Sequence, residues 1–345
     1  MNFWQKKWFK LTHWEFWPFS VFYFPIYFYF TWLAIKSRSF FFFTSANPKI
    51  DFGGMLGEKK SDIFSQIPSA FIPKTVLIKA GDWNHAHKEA AQIGYPLIAK
   101  PDIGERGRLV EKIHDQKALN EYVQKCPIDF LLQELVEFQT ELGVFYVKLP
   151  TDSKGRVTSV VQKKYLSVIG DGRSTVQQLL QLNPRAQLQV NFKHDRLANI
   201  LKTIPKEGQE MIIEPIGNHS RGTIFLDKTE EIDEKLISAI DQLARQIPEF
   251  YFGRFDILCK SFNDLRELKH FKIVELNGAG SEPGHIYDPA FSLLEGYKVV
   301  LQHFRMLYLI SKQNKQRGFS YWSFKEGMDK LKTIKKHNRL IEPLI

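Results

Sequence analysis

Two short runs within residues 252–288 alternate apolar and polar side chains and are separated by a polar turn. Such alternation is typical of β-strands, and two strands joined by a polar turn indicate a hairpin. Side chains two positions apart on a strand share a face. Arg254 and Asp256 therefore point one way on the first strand, and Glu275 and Asn277 point one way on the second. Pairing of the strands would gather two carboxylates, an amide and a guanidinium group.

A cluster of this kind suits a hard divalent cation. Mg²⁺ is usually held by one or two carboxylates together with substrate phosphates, and Asp256, Glu275 and Asn277 offer such oxygens. The alternative is a solvated strand face that carries ordinary charges. The irregular, glycine-rich turn that follows, with Glu282 and His285 on it, favours a site, because binding groups concentrate on loops beyond strand ends.

The motif R-F-D followed by V-E-L-N-G-A-G-S-E-P-G resembles the metal-binding signature of the ATP-grasp superfamily. Its carboxylate–amine ligases include D-alanine–D-alanine ligase and cyanophycin synthetase. The resemblance covers about residues 59–289 and implies an α+β, ATP-grasp fold in which two α/β lobes clasp ATP. It further implies that Asp256, Glu275 and Asn277 hold two Mg²⁺ ions, with Mn²⁺ as an alternative, and that Arg254 stabilises charge on the reacting acyl group.

Residues 95–101 are predicted to form a strand that delivers Lys100 at its end, followed by a loop containing Gly104 and Gly107 and by a second strand. Glycines let backbone amides approach phosphate oxygens, and a lysine adds a point charge. A hairpin with a flexible tip is the alternative. The arrangement resembles the ATP-grasp glycine-rich loop, in which Lys100 would bind phosphate and Arg106 would add a cation.

A helix is predicted to begin at K-K-S-D, residues 59–62, and to end at Pro68. In the resembling ligases a lysine on a comparable helix contacts the nucleotide phosphates. Lys60 lies at the matching distance from Ile72 and Pro73, although Lys59 would serve nearly as well. A solvated lysine at a helix end is the alternative for either residue.

Two β-runs joined by a short bend follow, over residues 130–137 and 142–149. From the residues alone, the acidic side chains here are expected to be solvated. The resemblance instead implies that residues 133–141 form a hinge between the lobes that holds the adenine and the ribose. The nucleotide contacts would then come from Glu134, Leu135, Val136 and Glu141.

A further strand, a Gly-Asp-Gly turn and a helix capped by Ser174 or Thr175 are predicted within residues 158–180. Lys163 or Lys164 on this strand is the candidate for a second phosphate-binding lysine. G-D-G-R-S-T-V and the later N-H-S-R-G are similar to the cyanophycin synthetase module, although each alone would simply be a turn. The candidate substrate-binding residues are Asn218, Arg221, Glu282 and His285.

The first 35 residues contain five of the seven tryptophans, and residues 16–35 form a nearly uncharged aromatic run with basic residues on both sides. Three alternatives remain: an interfacial or re-entrant membrane anchor, a true span, and a buried core element. Residues 40–44 are predicted to form a short buried strand. The basic tail, residues 312–336, could lie on an anionic membrane or form a solvated terminal helix.

The chain of 345 residues is long enough for two or three lobes. Its only cysteines, Cys126 and Cys259, indicate no disulfide framework and a reducing compartment. The net charge of +10 favours an anionic partner. Nucleic acid is disfavoured because the aromatic residues are not interleaved with basic ones. The predicted units are residues 1–43 (membrane-associating), 44–80 (preceding region), 81–310 (ATP-grasp domain) and 311–345 (basic tail).

The resemblance implies an ATP- and Mg²⁺-dependent ligase that activates a carboxylate as an acylphosphate for attack by an amine, a thiol or a hydroxyl group. Together with the aromatic segment, it predicts a peripheral or monotopic protein on the cytoplasmic side of the inner cell membrane, or else a cytoplasmic one, with amphiphilic substrates. An ATP-grasp kinase and a membrane-tethered ATP sensor without turnover are the alternatives.

Overall fold

A computed structural model of the protein describes residues 1–104, 107–189, 197–214, 217 and 222–342. Helices and antiparallel sheets alternate along the chain, so the predicted α+β class is confirmed. The helices are α1 (Phe3–Thr12), α2 (Phe19–Ser37), α3 (Lys60–Phe64), α4 (Trp83–Ile93), α5 (Gln116–Lys125), α6 (Val176–Leu182), α7 (Pro184–Gln189), α8 (Ala198–Lys202), α9 (Glu234–Ala244), α10 (Phe262–Arg266), α11 (Leu293–Gln316) and α12 (Phe324–Ile341).

Within the described residues, the strands form three antiparallel sheets with the orders β1-β4-β2-β3, β11-β10-β5-β6-β9 and β7-β8. They are β1 (Thr75–Ile78), β2 (Leu97–Pro101), β3 (Glu111–Ile113), β4 (Phe130–Glu134), β5 (Thr140–Val147), β6 (Arg156–Lys164), β7 (Leu166–Ile169), β8 (Glu210–Glu214), β9 (Ile224–Asp227), β10 (Phe252–Cys259) and β11 (Phe271–Asn277).

The four-stranded sheet is covered by α4 and α5. Each helix begins with an aspartate whose side chain accepts a backbone N–H of the first turn, Asp82 for α4 and Asp115 for α5. Leu97 and Ala99 on β2 share a buried core with Ala86, Leu119 and other residues of the two helices. The alternation of β2 thereby leaves Lys100 on the opposite face of the sheet.

The two faces of the five-stranded sheet differ in chemistry. Leu142, Val144 and Phe255 lie on the face that packs against Leu236 and Ile240 of α9 in the largest core cluster. The intervening positions of β10 and β11 carry the charged and amide side chains of the predicted cluster. Because the side chains alternate along each strand, burying the apolar face commits the polar face to the other side.

The N-terminal helix α2 packs against α11, which lies near the C-terminal end of the chain. Phe22 and Ile26 of α2 are buried with Trp14 and Val300, and Leu33 lies in a second core with Leu307 of α11. The inner face of α2 therefore belongs to the core, and the membrane association of this segment stays a prediction. Within the described ranges, no helix is both long enough and apolar enough to cross a membrane.

The strand predicted for residues 40–44 is wrong. The chain forms a single 3-10 turn at Phe42–Ser45. Phe41, Phe42 and Phe43 are all buried, in contact with a cluster that includes α11 and Phe52. An apolar run enclosed on all sides carries no periodicity, so the sequence could not separate a buried turn from a buried strand.

Candidate active site

β10 and β11 form the predicted hairpin. Arg254 pairs with Asn277 and Asp256 pairs with Glu275 across the two strands. Directly opposite residues of an antiparallel pair carry their side chains on the same face. The expected cluster of two carboxylates, an amide and a guanidinium group is therefore present. The polar turn between the strands contains the short helix α10.

Asp256 lies at the centre of this cluster and is buried between two cations. Its Oδ1 accepts from Nε of Arg254 at 2.6 Å, and its Oδ2 accepts from Nζ of Lys163 at 3.0 Å. Burial alone would raise the pKa of Asp256, but Arg254 and Lys163 outweigh it and lower that pKa to about 2. Asp256 is thus a permanent anion at neutral pH.

Lys163 is held by a second carboxylate as well. Its Nζ donates to Oε1 of Glu141 at 2.7 Å, while Tyr165 donates its hydroxyl to Oε2 of Glu141 at 2.6 Å. Burial lowers the pKa of Lys163, but the combined attraction of Asp256 and Glu141 is the larger effect and raises that pKa above its usual value. Lys164 is exposed on the opposite face of β6. Of the two lysines, only Lys163 therefore faces the cluster, and its binding of phosphate stays a prediction.

Glu141 is buried, and the solvated state expected from the residues alone is wrong for it. Its carboxylate is engaged by Lys163 and Tyr165 and so serves as a counter-ion within the cluster. Sequence reasoning missed Tyr165. The signal was present, because Tyr165 follows the two lysines directly.

Lys100 reaches from the four-stranded sheet to the five-stranded one. Its Nζ donates to Oε1 of Gln133 at 2.8 Å and to the carbonyl oxygen of Val274 on β11 at 2.9 Å. Burial lowers the pKa of Lys100 to about 8. Gln133 is buried and was not predicted, although it is a lone amide inside the apolar run F-L-L-Q. A buried amide of that kind requires a polar partner, which here is Lys100.

Lys60 occupies the edge of the cluster. Its Nζ donates to the carbonyl oxygen of Gly104 at 2.6 Å and lies 3.7 Å from Oε1 of Glu275. Lys59 is exposed, so Lys60 is the lysine of this pair that faces the cluster. The predicted helix begins at Lys60, where the carboxylate of Asp102 accepts the N–H of Ser61 at 2.8 Å. Asp102 thereby joins the glycine-rich loop to α3.

The metal-ligand candidates fit a hard cation. Asp256, Glu275 and Asn277 offer oxygen donors only, and two carboxylates with an amide match the way Mg²⁺ is held beside phosphates. The Nδ2 atom of Asn277 is buried without a hydrogen-bond partner in the described structure. A 180° turn of this amide would place its oxygen at the position that Nδ2 now occupies. Among the described residues, no group of three or more His, Cys, Asp and Glu is placed to hold a metal.

Glu282 lies beside Arg254, five residues after the end of β11. Its carboxylate accepts from the hydroxyl groups of Tyr23 and Tyr287, and its carbonyl oxygen accepts from Nη1 of Arg254 at 3.3 Å. Tyr23 belongs to α2, which the sequence did not connect with this site. A wall of the cluster is therefore supplied by the N-terminal helix.

His285 belongs to the same short 3-10 turn as Tyr287. Its ring is buried, with Nδ1 2.6 Å from Oγ of Ser159 and with Phe291 against it edge-on. Burial lowers the pKa of His285. The ring is thus packed against Ser159, which lies on the same face of β6 as Lys163, and a contact of His285 with substrate stays a prediction.

The predicted hinge joins the two sheets, since β4 belongs to one and β5 to the other. Glu134 is exposed, and its Oε2 accepts the backbone N–H of Lys74 at 3.1 Å. Leu135 and Val136 are half-buried in the connection between the strands. Gly107 has a left-handed backbone, with φ of +67°, which glycine adopts without a steric cost. The candidates Arg106, Asn218 and Arg221 lie outside the described residues.

No protein-family model and no curated protein matches the chain. Solved structures with a similar fold include a bifunctional glutathione synthetase from Pasteurella multocida, 17% identical over 72% of this chain and 35% of that one, with a TM-score of 0.39. A D-alanine–D-alanine ligase from Bacillus anthracis is 12% identical over 75% and 67% of the two chains, with a TM-score of 0.41. The VanG D-Ala:D-Ser ligase from Enterococcus faecalis is 15% identical over 72% of this chain and 61% of that one, with a TM-score of 0.42.

The chain thus spans about a third of that glutathione synthetase and about three fifths of the VanG ligase. The likeness concerns the fold, and the role of each residue rests on the geometry of this chain. The chain is similar in fold to these ligases.

Proposed function

We propose that this protein is an ATP- and Mg²⁺-dependent ligase that joins a carboxylate to an amine through an acylphosphate. The observation that carries the proposal is the convergence of Lys163 and Arg254 on the buried carboxylate of Asp256. Lys100 reaches the adjacent strand β11, where it donates to the carbonyl oxygen of Val274. A surface with several fixed cations and two ligand carboxylates suits a triphosphate with its metal.

The reaction transfers the γ-phosphoryl group of ATP to a carboxylate oxygen. The bond from the γ-phosphorus to the β–γ bridging oxygen breaks, ADP leaves, and a new phosphorus–oxygen bond forms on the acid. The amine nitrogen then attacks the acyl carbon, phosphate leaves with the electron pair of the carbon–oxygen bond, and the amine loses a proton. No side chain forms a covalent bond, so catalysis consists of positioning and electrostatic stabilisation.

Each charged group of the cluster has a distinct task in this reaction. Asp256, Glu275 and Asn277 would hold Mg²⁺, which supplies positive charge beside the transferring phosphate. Lys100 and Lys163 bind phosphate oxygens from the two sheets, and Lys60 adds a cation from α3. Arg254 stabilises the negative charge that develops on the acyl oxygen.

The reaction is proposed to occur at the cytoplasmic face of the cell membrane, on an acid or an amine that is itself amphiphilic. Support comes from the aromatic N-terminal helices, because α2 supplies Tyr23 to the wall beside Arg254. A substrate held in the membrane surface would approach the cluster from that side.

Release of ADP and of free phosphate by the purified protein with Mg²⁺-ATP tests the reaction, with pools of amino acids and lipid extracts as substrates. The blank is the Asp256→Asn/Glu275→Gln variant. Release of both products that requires an acid together with an amine supports the ligase. ADP without free phosphate, with phosphate retained on the acceptor, would instead identify a kinase, and ATP binding without release under any pool would identify a sensor.

A further inference from the structure

The outer side of α2 carries a continuous apolar stripe. Phe24, Phe28 and Ile35 are 63%, 65% and 71% exposed. Positions four and seven apart lie on one face of a helix, so these side chains form a single row. On the other side, Ile26 and Leu33 are each 1% exposed. A helix that is apolar all round is normally covered all round, whereas α2 is covered on one side only.

The preceding helix, α1, extends this surface. Trp4, Trp8 and Leu11 follow one another at helical spacing and are 71%, 68% and 61% exposed. Exposed apolar patches of this extent mark surfaces for a protein or a membrane. Tryptophan and tyrosine are enriched at the level of lipid head groups, where one end of the ring is apolar and the other is wet.

The exposed charges of the N-terminal segment that carries this surface, residues 1–48, are of one sign. Within residues 1–48 the basic side chains are Lys6, Lys7, Lys10, Lys36 and Arg38, and the only acidic one is Glu15. The carboxylate of Glu15 is buried, with Oε1 2.7 Å from Nη1 of Arg185. The exposed charges are therefore all positive.

This sign selects the partner. A two-fold contact with a second copy would bring the same cations of both chains together, which costs free energy. An anionic bilayer instead complements them, because each lysine or arginine near such a surface is attracted to the negative lipid head groups.

A groove of about 620 Å³ opens at the C-terminal end of α2. Arg38 and Lys315 lie in its lining, which contains no acidic side chain. Tyr321 and Trp322 form part of an aromatic floor, and Nζ of Lys315 lies 4.5 Å from the ring of Tyr321. Ile35 belongs both to the apolar stripe and to the groove. Cations above an aromatic floor suit a phosphate head group whose glycerol and acyl parts continue along the stripe.

We propose that the outer faces of α1 and α2 lie in the surface of a bilayer containing anionic phospholipid, and that the groove between Arg38 and Lys315 receives a phosphate head group of that bilayer. This deepens the membrane location given under the proposed function and is independent of the ligase reaction. Tyr23, on the inner face of α2, and its partner Glu282 would then lie within about one helix diameter of the lipid.

Sedimentation of the full chain with vesicles tests the proposal, using phosphatidylcholine alone or mixed with phosphatidylglycerol. We expect binding to the mixed vesicles, and a loss of more than about tenfold in partitioning for Phe24→Ser/Phe28→Ser/Ile35→Ser. Arg38→Gln/Lys315→Gln should lose roughly thirtyfold on mixed vesicles and little on phosphatidylcholine. The matched control Lys112→Gln/Lys260→Gln removes the same charge from exposed sites elsewhere.

Equal binding by all four proteins, or no binding by the unmodified chain, would overturn the proposal. Equal losses in the Arg38/Lys315 variant and in the charge control would overturn the head-group site. Analytical ultracentrifugation without lipid provides a further check, because a dimer that the triple serine variant abolishes would identify a second copy as the occupant. The ATP-inactive Asp256→Asn variant should bind vesicles normally, which separates this test from that of the ligase reaction.

Discussion

The ammonium group of Lys163 lies 3.0 Å from Oδ2 of Asp256, and their side chains are only 6% and 3% exposed. Arg254 and Glu141 complete a buried group of two cations and two anions. Buried charges are tolerated when each is paired and hydrogen-bonded, because the surrounding medium cannot solvate them. This arrangement holds the side chains of three strands, β5, β6 and β10, in fixed positions before any substrate arrives.

Replacing Lys163 by Met should remove the cation that Asp256 and Glu141 share, and so leave two buried carboxylates with Arg254 as the remaining cation of the group. We expect the free energy of unfolding to fall by about 3 kcal/mol and kcat to fall by at least about a hundredfold. Urea denaturation and ADP release measure the two effects. Lys164→Met is the matched control, because the neighbouring lysine is exposed on the opposite face and should change stability by less than about 0.5 kcal/mol. Similar losses in both variants would contradict the assigned role of Lys163.

The buried Lys100 should give activity a specific pH dependence. Its pKa is lowered to about 8 by burial. The protonated form binds phosphate, so the charge is present below pH 8 and is lost as the pH rises through that value. We expect kcat/KM for ATP, which reports the free enzyme, to fall about tenfold per pH unit well above pH 8. Lys100→Met should be much less active and should lack this descent. A flat profile to pH 9.5 in the unmodified protein would contradict the prediction.

Lys60 and Lys59 provide a comparison between adjacent residues. Lys60 donates to the Gly104 carbonyl oxygen and faces Glu275, whereas Lys59 is exposed. Lys60→Ala is expected to raise the KM for ATP by roughly tenfold or more, because a charge-assisted contact to phosphate is lost. Lys59→Ala is expected to change KM by less than about twofold. Steady-state kinetics with ATP as the varied substrate measures KM for both variants. A larger rise in KM for Lys59→Ala than for Lys60→Ala would show that Lys59 is the lysine that contacts phosphate.

Tyr23 should act on the site as a positioning residue from α2. Tyr23→Phe removes one of the hydroxyl groups that donate to the Glu282 carboxylate, and should lower the free energy of unfolding by about 1 kcal/mol. Because Glu282 accepts from Arg254 through its backbone, we expect the KM for the acid or the amine to rise several-fold, with the KM for ATP unchanged. Tyr27→Phe, one turn along α2 and 47% exposed, is the control. A change confined to stability would show that Tyr23 has a structural role only.

Local pattern was enough to identify the parts of the sheet that carry the site. Alternation around Arg254 and Asp256, and around Glu275 and Asn277, predicted a hairpin with both pairs on one face, and the hairpin is present. Lys100 was predicted at the end of a strand and lies on β2. These predictions succeeded because the side-chain period of a strand is a local property of the backbone.

Tertiary structure decided what the sequence left open. It selected Lys60 and Lys163 from adjacent pairs, since only the packing of α3 and β6 determines which lysine faces the interior. It also turned Glu141 into a counter-ion, because burial beside Lys163 is a property of the assembled sheet.

The sequence by itself determined the polar face of the hairpin, the lysine of β2 and the aromatic character of the N-terminal helices. Only the tertiary structure decided that α2 buries one side against α11 and contributes Tyr23 to the site from more than two hundred residues away in sequence. The physical reason is that periodicity reports which side chains share a face. The partner of that face is chosen by packing between distant segments, on which local pattern carries no information.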